Sequence, residues 1–364
     1  MTKIKIIIKS LAGGGAERIL LNFLKEFNSK FGEKNIELLV LLKEGELIND
    51  DLPKNISFCF EPVNKFSKLV CLARLFLFRQ SIAKKFLQDS QEIIAISFLE
   101  GWGDMILHSY SSSNVLKKIS WLHCNYDSLK RFNLTRLLFD RYAAKSNTIN
   151  CVSRSVLNSI DGKFVNARHN VVYNFIDFDG IDAKLAQKTT VLSKDSINIL
   201  FVGRLVEVKN LFFLLEAFKL TTQRTSNVVL NILGDGYLME GLKTKVEELN
   251  LKGKVKFHGF SDNPYPMIRD CDILALSSWN EGLPTVLIEA AYVNTKAIST
   301  KCGSDELLNL FDYPNAIDFS AAEFANALIS EINQKRNQIG KAIFLENFSF
   351  EAMLNGMTGT EIGI

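Results

Sequence analysis

What the 364-residue chain lacks narrows it first. Its 43 lysines and arginines nearly balance 40 aspartates and glutamates. A net charge of +3 is too small for the concentrated basic face of a nucleic-acid binder, so no nucleic-acid partner is expected. No C-x-x-C pair occurs among the six cysteines (Cys59, Cys71, Cys124, Cys151, Cys271 and Cys302), and no secretory signal is visible. The thiols are therefore expected to be reduced, cytosolic and mostly buried. No apolar run reaches transmembrane length, which leaves a soluble or peripheral protein as the expectation. No repeat of solenoid period occurs either. The remaining composition, 47% apolar and 23% charged, is that of an ordinary globular protein, and the length exceeds one comfortable core. Two domains are expected.

The pattern along the chain is strand, turn, helix, many times over. Lys3 to Lys9 reads as a buried strand, followed by Gly13-Gly14-Gly15-Ala16-Glu17-Arg18 and an amphipathic helix through Phe27. Bare backbone at a helix N-terminus lets a phosphate approach. A plain tight turn accounts for these glycines equally well, and the third glycine of a dinucleotide fingerprint is replaced by Arg18. Further strands are expected at Ile36–Leu42, Ile56–Phe60, Glu92–Ser97, Lys117–Trp121, Thr148–Val152 and Val171–Tyr173, with helices between most of them. Two of these helices, residues 65–86 and 129–145, are basic as well as apolar. Lys65, Lys68, Arg74, Arg79, Lys84 and Lys85 lie on the first, and Lys130, Arg131, Arg136, Arg141 and Lys145 on the second. A solvated face is the usual account of such helices, and contact with anionic lipid is the alternative.

After a looser stretch around Phe175–Val191, strand and helix alternate about five more times, the signature of a doubly wound sheet. Strands are expected at Ile197–Val202, Val228–Leu233, Val255–Phe260, Asp272–Leu276 and Lys296–Ser299. Ligands of such sheets sit at the carboxyl ends of strands. Arg204 and Lys209 flank one such turn, which suits a diphosphate. Glu281 and Glu289 lie eight positions apart across Gly282-Leu283-Pro284, with Pro284 suited to the first helical position. Carboxylates accept hydrogen bonds from vicinal hydroxyls, and a helix N-terminus offers free N–H groups. Diphosphate donors and hydroxyl acceptors in one place describe a nucleotide-sugar site. Two D-x-D pairs, Asp177-Phe178-Asp179 and Asp270-Cys271-Asp272, do not follow a buried strand, and no metal is assigned to them.

Gly203-Arg204-Leu205…Lys209-Asn210, Gly234-Asp235-Gly236, His258-Gly259-Phe260 and Glu281-x7-Glu289 come in the order found in retaining glycosyltransferases of family four, the glycosyl transferases group 1. Gly14-Gly15-Ala16-Glu17-Arg18 and Val172-Tyr173-Asn174-x-Ile176-Asp177 also resemble that family. The resemblance spans residues 4 to about 310. It implies an α/β GT-B architecture, two Rossmann-like domains facing across a deep cleft, with a C-terminal helix returning to the first. The corresponding division is an acceptor-side domain over 1–175, a linker over 176–195, a nucleotide-sugar domain over 196–345 and a tail over 346–364.

The resemblance also implies roles. Arg204 and Lys209 would neutralise the donor diphosphate, Glu289 would bind the ribose, and Glu281 with the backbone of Gly282, Leu283 and Pro284 would hold the transferred sugar. Gly203 and Gly234 would line the donor, Gly259 and Phe260 would meet the base, and Gly14 and Gly15 would close over the phosphates. His123, in Trp121-Leu122-His123, matches a family histidine facing sugar and acceptor, although a core histidine is a fair competing account. The expected partners are a UDP-sugar, a glycan or lipid-linked glycan acceptor, and an anionic membrane surface on the cytoplasmic side; no cofactor is expected. The segment Tyr292-Val293-Asn294-Thr295-Lys296 departs from the family's Gly-Pro connection, and Lys301 to Glu306 only approximates its glycine-plus-acid signature. The alternatives are a nucleotide-sugar-binding protein without turnover and a nicotinamide-dependent oxidoreductase.

Overall fold

The protein divides into two compact units, Met1–Ile176 with Glu346–Ile364, and Asp177–Leu345. The structure is a computed structural model that describes residues 2–45, 47–49, 51–129, 133–187, 192–335 and 338–359. Each unit is built on one parallel sheet. The first sheet holds β1 (Lys3–Ile8), β2 (Ile36–Leu42), β3 (Ile56–Phe60), β4 (Ile93–Ser97), β5 (Val115–Leu122), β6 (Thr148–Cys151) and β7 (Arg168–Val171) in the order β3-β2-β1-β4-β5-β6-β7. The second holds β8 (Ile197–Val202), β9 (Val228–Leu233), β10 (Val255–Gly259), β11 (Ile273–Leu276) and β12 (Lys296–Ser299) in the order β10-β9-β8-β11-β12. Parallel strands are covered by helices on both faces and so read as continuous apolar runs. The central strands β1, β4, β8, β9 and β11 follow that rule, with nearly every residue buried. The order reverses between β1 and β4 in one sheet and between β8 and β11 in the other, and these reversals mark where ligands bind.

Several boundaries differ from the sequence reading. The strand expected at Val171–Tyr173 is Arg168–Val171 instead. It pairs only with β6, so an edge position tolerates its polar Arg-His-Asn sequence. The expected linker carries a helix, Phe178–Leu185, because the Asp177 side chain accepts the Gly180 N–H at 2.9 Å and caps it. The basic helix expected over 65–86 is two, Lys65–Leu77 and Arg79–Leu87, meeting at Phe78. A reciprocal pair starts the first: Asn64 Oδ1 accepts the Ser67 N–H at 2.8 Å, and Ser67 Oγ accepts the Asn64 N–H at 2.9 Å. The second basic helix is shorter than expected, Leu134–Ala143, and Lys130 and Arg131 lie outside the described residues.

The tail is part of the first unit. Ser349 caps the helix Phe350–Thr358, and Phe350 stacks on Phe23 with ring centroids 4.8 Å apart. Phe27 and Phe175 also meet the Phe350 ring. Lys30 Nζ lies 2.7 Å from Glu351 Oε1, and Lys117 Nζ donates to the Thr358 carbonyl at 3.1 Å. Phe350 is buried, so truncation removes both its transfer energy and its stacking partners. Phe350→Ala is expected to destabilise the first unit by about 3–5 kcal/mol in denaturant unfolding, the range for a buried Phe→Ala change.

Candidate active site

The turns after β8 and β11 meet at the reversal point of the second sheet. Backbone packing fixes the first. Gly203 N–H donates to the Leu233 carbonyl at 3.0 Å, and Gly234 N–H donates to the Gly259 carbonyl at 2.7 Å. A Cβ at position 234, where φ is +143°, would stand 1.9 Å from the Gly203 carbonyl oxygen, so only glycine fits. From this turn Arg204 projects outward, exposed, with no side-chain partner among the described residues. A single 3-10 turn, Glu207–Lys209, then delivers Lys209, and Asn210 ends it with φ at +52°, a left-handed conformation that asparagine tolerates.

Lys209 is not free. Its Nζ lies 2.6 Å from Glu281 Oε1, and Ser278 Oγ donates to the same oxygen at 2.5 Å. Sequence reading had assigned Lys209 to a phosphate and Glu281 to a sugar, without their mutual contact. The Glu281 turn is itself tied down, because Glu281 N–H donates to the Cys302 carbonyl and Trp279 N–H to the Val208 carbonyl, each at 2.8 Å. Ser278 carried no signal in the sequence, since an isolated serine beside a motif looks like any loop serine.

The helix after this turn is Thr285–Tyr292. Pro284 is its N-cap and not its first helical residue, one position earlier than expected, and no side chain caps the end. The backbone N–H groups of Gly282, Leu283, Thr285 and Val286 have no hydrogen-bond partner among the described residues. These four donors lie at or just before the positive end of a helix dipole. Glu289 sits in the second turn of that helix, and its carboxylate has no hydrogen-bond partner among the described residues. Burial pushes its carboxyl up to about 7, against a downward pull from the Lys184 charge. Nearby, His258 Nε2 lies 2.9 Å from Asn231 Oδ1, which fixes the strand end before Gly259, and Phe260 is exposed beyond it.

In the first unit, the glycine turn after β1 opens the helix Gly15–Phe31. Its N-terminus already faces an anion: the Glu17 carboxylate lies where a Cβ on Gly14 would be, 2.3 Å from that position. A phosphate held by Gly14 and Gly15 would meet that charge unless Glu17 turned away. His123 follows β5, packed on Phe98 at 4.5 Å between ring centroids and on Trp121 at 5.5 Å. Its Nε2 is enclosed and has no partner, and burial drives the ring down to about 3, so it is a neutral imidazole at any working pH. Three of the four aspartates of the two D-x-D pairs have local roles. Asp177 caps a helix, Asp270 pairs with Arg269, and Asp272 accepts the Asn198 N–H at 2.7 Å. All six cysteines are free thiols.

Comparison with known proteins agrees with this geometry. Residues 183–342 match the family of glycosyl transferases group 1. The Campylobacter jejuni N-acetylgalactosamine-N,N'-diacetylbacillosaminyl-diphospho-undecaprenol 4-alpha-N-acetylgalactosaminyltransferase is 29% identical over 328 residues, 84% of this chain and 83% of that protein. The Staphylococcus aureus capsular polysaccharide biosynthesis glycosyltransferase CapH is 23% identical over 353 residues, 93% of this chain and 92% of that one. Among solved structures, Anabaena HepE in complex with UDP covers 100% of both chains with a TM-score of 0.74 at 18% identity. The lipopolysaccharide outer core galactosyltransferase WaaB gives 0.68 at 20% identity, over 98% of this chain and 99% of that one. These likenesses fix the fold as GT-B, two Rossmann-like domains. The donor-side motifs lie in order within residues 183–342, the stretch that matches the glycosyl transferases group 1.

Proposed function

We propose that this glycosyltransferase moves a hexose or N-acetylhexosamine from a UDP-sugar to a hydroxyl of a glycan, lipid-linked or part of a surface polysaccharide. The transfer retains the anomeric configuration and uses no metal ion. The observation that carries the reading is the pairing of unpartnered donors with an unpartnered carboxylate around one sheet reversal. Arg204 and the free N–H groups at the Thr285–Tyr292 helix suit a diphosphate, and Glu289 suits ribose hydroxyls. Glu281 uses one oxygen on Lys209 and Ser278, which leaves Oε2 for a hydroxyl of the transferred sugar. The choice of UDP is supported by HepE, solved with UDP and with UDP-glucose. The acceptor class is supported by the Campylobacter relative, whose acceptor is a diphospho-undecaprenol glycan.

In the proposed reaction the acceptor oxygen forms a bond to the anomeric carbon on the face from which the β-phosphate oxygen departs. The acceptor's proton passes to that departing oxygen. Negative charge grows on the diphosphate, so Arg204, Lys209 and the helix N-terminus stabilise the transition state in the place a metal ion would otherwise fill. UDP release, followed with UDP-GalNAc, UDP-GlcNAc, UDP-galactose and UDP-glucose against an undecaprenyl-diphosphate-linked N-acetylhexosaminyl glycan, tests this. Arg204→Ala and Lys209→Ala should each lose on the order of 2–4 kcal/mol of transition-state stabilisation. Donor binding without UDP release would make the chain a nucleotide-sugar-binding protein instead.

Glu289 supplies a pH test. Its folded carboxyl titrates near 7 and its unfolded one near the ordinary 4.5, so between these values the folded state holds a proton the unfolded state has lost. Stability therefore falls as pH rises through that window. Glu289→Gln should match wild-type stability below pH 4.5 and exceed it by a growing margin up to pH 7. Ribose hydroxyls favour the ionised carboxylate, so wild-type affinity for a UDP-sugar should rise across the same window and the variant's should not.

The membrane reading is also proposed, and it centres on the Lys65–Leu77 helix. That helix buries Cys71 and Leu75 on one face, yet exposes Phe66 (77%), Leu69 (65%) and Leu77 (70%) on the other. A helix apolar on both faces with one left bare fits a lipid interface. Lys65, Lys84 and Lys85 make no ion pair among the described residues, which supports anionic lipid. The Leu134–Ala143 helix is the weaker candidate, since Arg136 lies over the Tyr126 ring at 4.1 Å and donates to the Leu129 carbonyl. No helix is long and apolar enough to cross a membrane among the described residues. Co-sedimentation with phosphatidylglycerol vesicles at low salt should be lost in a Phe66→Asp, Leu69→Asp variant and kept in Arg141→Ala.

A further inference from the structure

One carboxylate stands at the reversal point of the first sheet without an assigned role. Glu100 lies in the turn that follows β4, and β4 neighbours β1 where the strand order reverses. Across that point the Glu17 charge, from the turn after β1, acts on Glu100 unfavourably. Two groups at the end of β5 hold the carboxylate in place. His123 N–H donates to Oε2 at 3.3 Å, and the Cys124 thiol donates to Oε1 at 3.1 Å. No cation pairs with Glu100 among the described residues. Burial raises its pKa.

The turn is built to be rigid. Gly101 has φ at +96°, and a Cβ there would stand 2.7 Å from the Thr135 carbonyl oxygen. Its N–H donates to Oδ2 of the fully buried Asp104 at 2.6 Å. The other oxygen of Asp104 accepts Ser120 Oγ, whose hydroxyl also meets Ser146 Oγ at 2.7 Å. A strap between β4 and β5 would need only neutral acceptors, because a carboxylate adds a desolvation penalty with no ion pair to offset it. Beside it, the enclosed Nε2 of His123 has no partner, nor has the Nε1 of the buried Trp121 beneath. A carboxylate met only by uncharged donors at the end of β4 keeps lone pairs for sugar hydroxyls, which donate as well as accept.

We propose that Glu100 binds the acceptor: its remaining lone pairs take hydrogen bonds from acceptor-sugar hydroxyls. The assignment rests on the glycosyl-transfer reading above. It places acceptor recognition on a rigid turn at the reversal point of the first sheet, apart from every donor residue of the second. Glu100 belongs to the first unit and Arg204, Lys209, Glu281 and Glu289 to the second, so its replacement should separate the two substrates.

The test uses Glu100→Gln, which keeps the size and an acceptor oxygen, and Glu100→Asp, which keeps the charge but withdraws it. Both are assayed with the donor and acceptor that give the fastest wild-type UDP release in the panel above. Each variant should raise the acceptor KM at least tenfold and lower kcat/KM for the acceptor about a hundredfold. Affinity for the UDP-sugar and its slow hydrolysis without acceptor should stay within threefold of wild type. The Gln variant should be no less heat-stable than wild type. Unchanged acceptor kinetics in both variants would overturn the assignment. So would a parallel loss of acceptor turnover, donor affinity and thermal stability, which is what a purely structural strap predicts. Failure of the underlying reading is read on the wild type alone, as absence of UDP release from every donor, and would overturn the assignment with it.

Discussion

The ion pair between Lys209 and Glu281 is the contact on which the second unit's site depends. It joins residues 72 positions apart and locks the turn after β8 to the turn after β11. Both side chains are only partly exposed, so each gives up hydration, and such a pair adds little net stability. Its value is positional. With Ser278 on the same oxygen, Glu281 fixes where the ammonium stands relative to Arg204 and to the bare N-terminus of the Thr285–Tyr292 helix. A cation held in advance needs no reorganisation as charge develops nearby.

The two helix N-termini that the sequence marked as anion sites differ in this respect. The one after the β1 turn has Glu17 in its first turn, against Gly14. The one after Pro284 has no acidic residue in its first turn and no side-chain cap. Glycines alone predict an anion site poorly, because a nearby carboxylate satisfies the same dipole. In the first unit the enclosed polar side-chain atoms without partners among the described residues lie elsewhere, on Trp121, His123, Asn150 and Asn174.

The central strands were legible because burial on both faces leaves apolar runs that little else produces. Arg204, Lys209, Glu281 and Glu289 stood out because charged residues beside the ends of buried strands are unusual, and the structure brings Lys209 and Glu281 into contact. The failures have local causes. One aspartate, Asp177, turned an apparent linker into a capped helix, and β7 was expected three residues too late because an edge strand carries polar residues. The contact between Lys209 and Glu281 was hidden by sequence distance, since no local pattern records which turns adjoin. Glu100 had no signal at all: in Phe98-Leu99-Glu100-Gly101 it looks like a solvated loop acid, and only the groups around it say otherwise.

The path of the chain through its tail has a consequence for synthesis. Because Phe350–Thr358 packs with the first unit, residues 177–345 amount to an insertion within that unit. On a ribosome the inserted unit has its full sequence available before its host does. The host must wait, its aromatic core around Phe23 and Phe27 open, until Phe350 emerges. Completion of the first unit is thereby coupled to synthesis of the second. A chain stopped before Phe350 would carry a finished second unit and a first unit whose hydrophobic surface is still exposed, the kind of surface that invites aggregation or a chaperone.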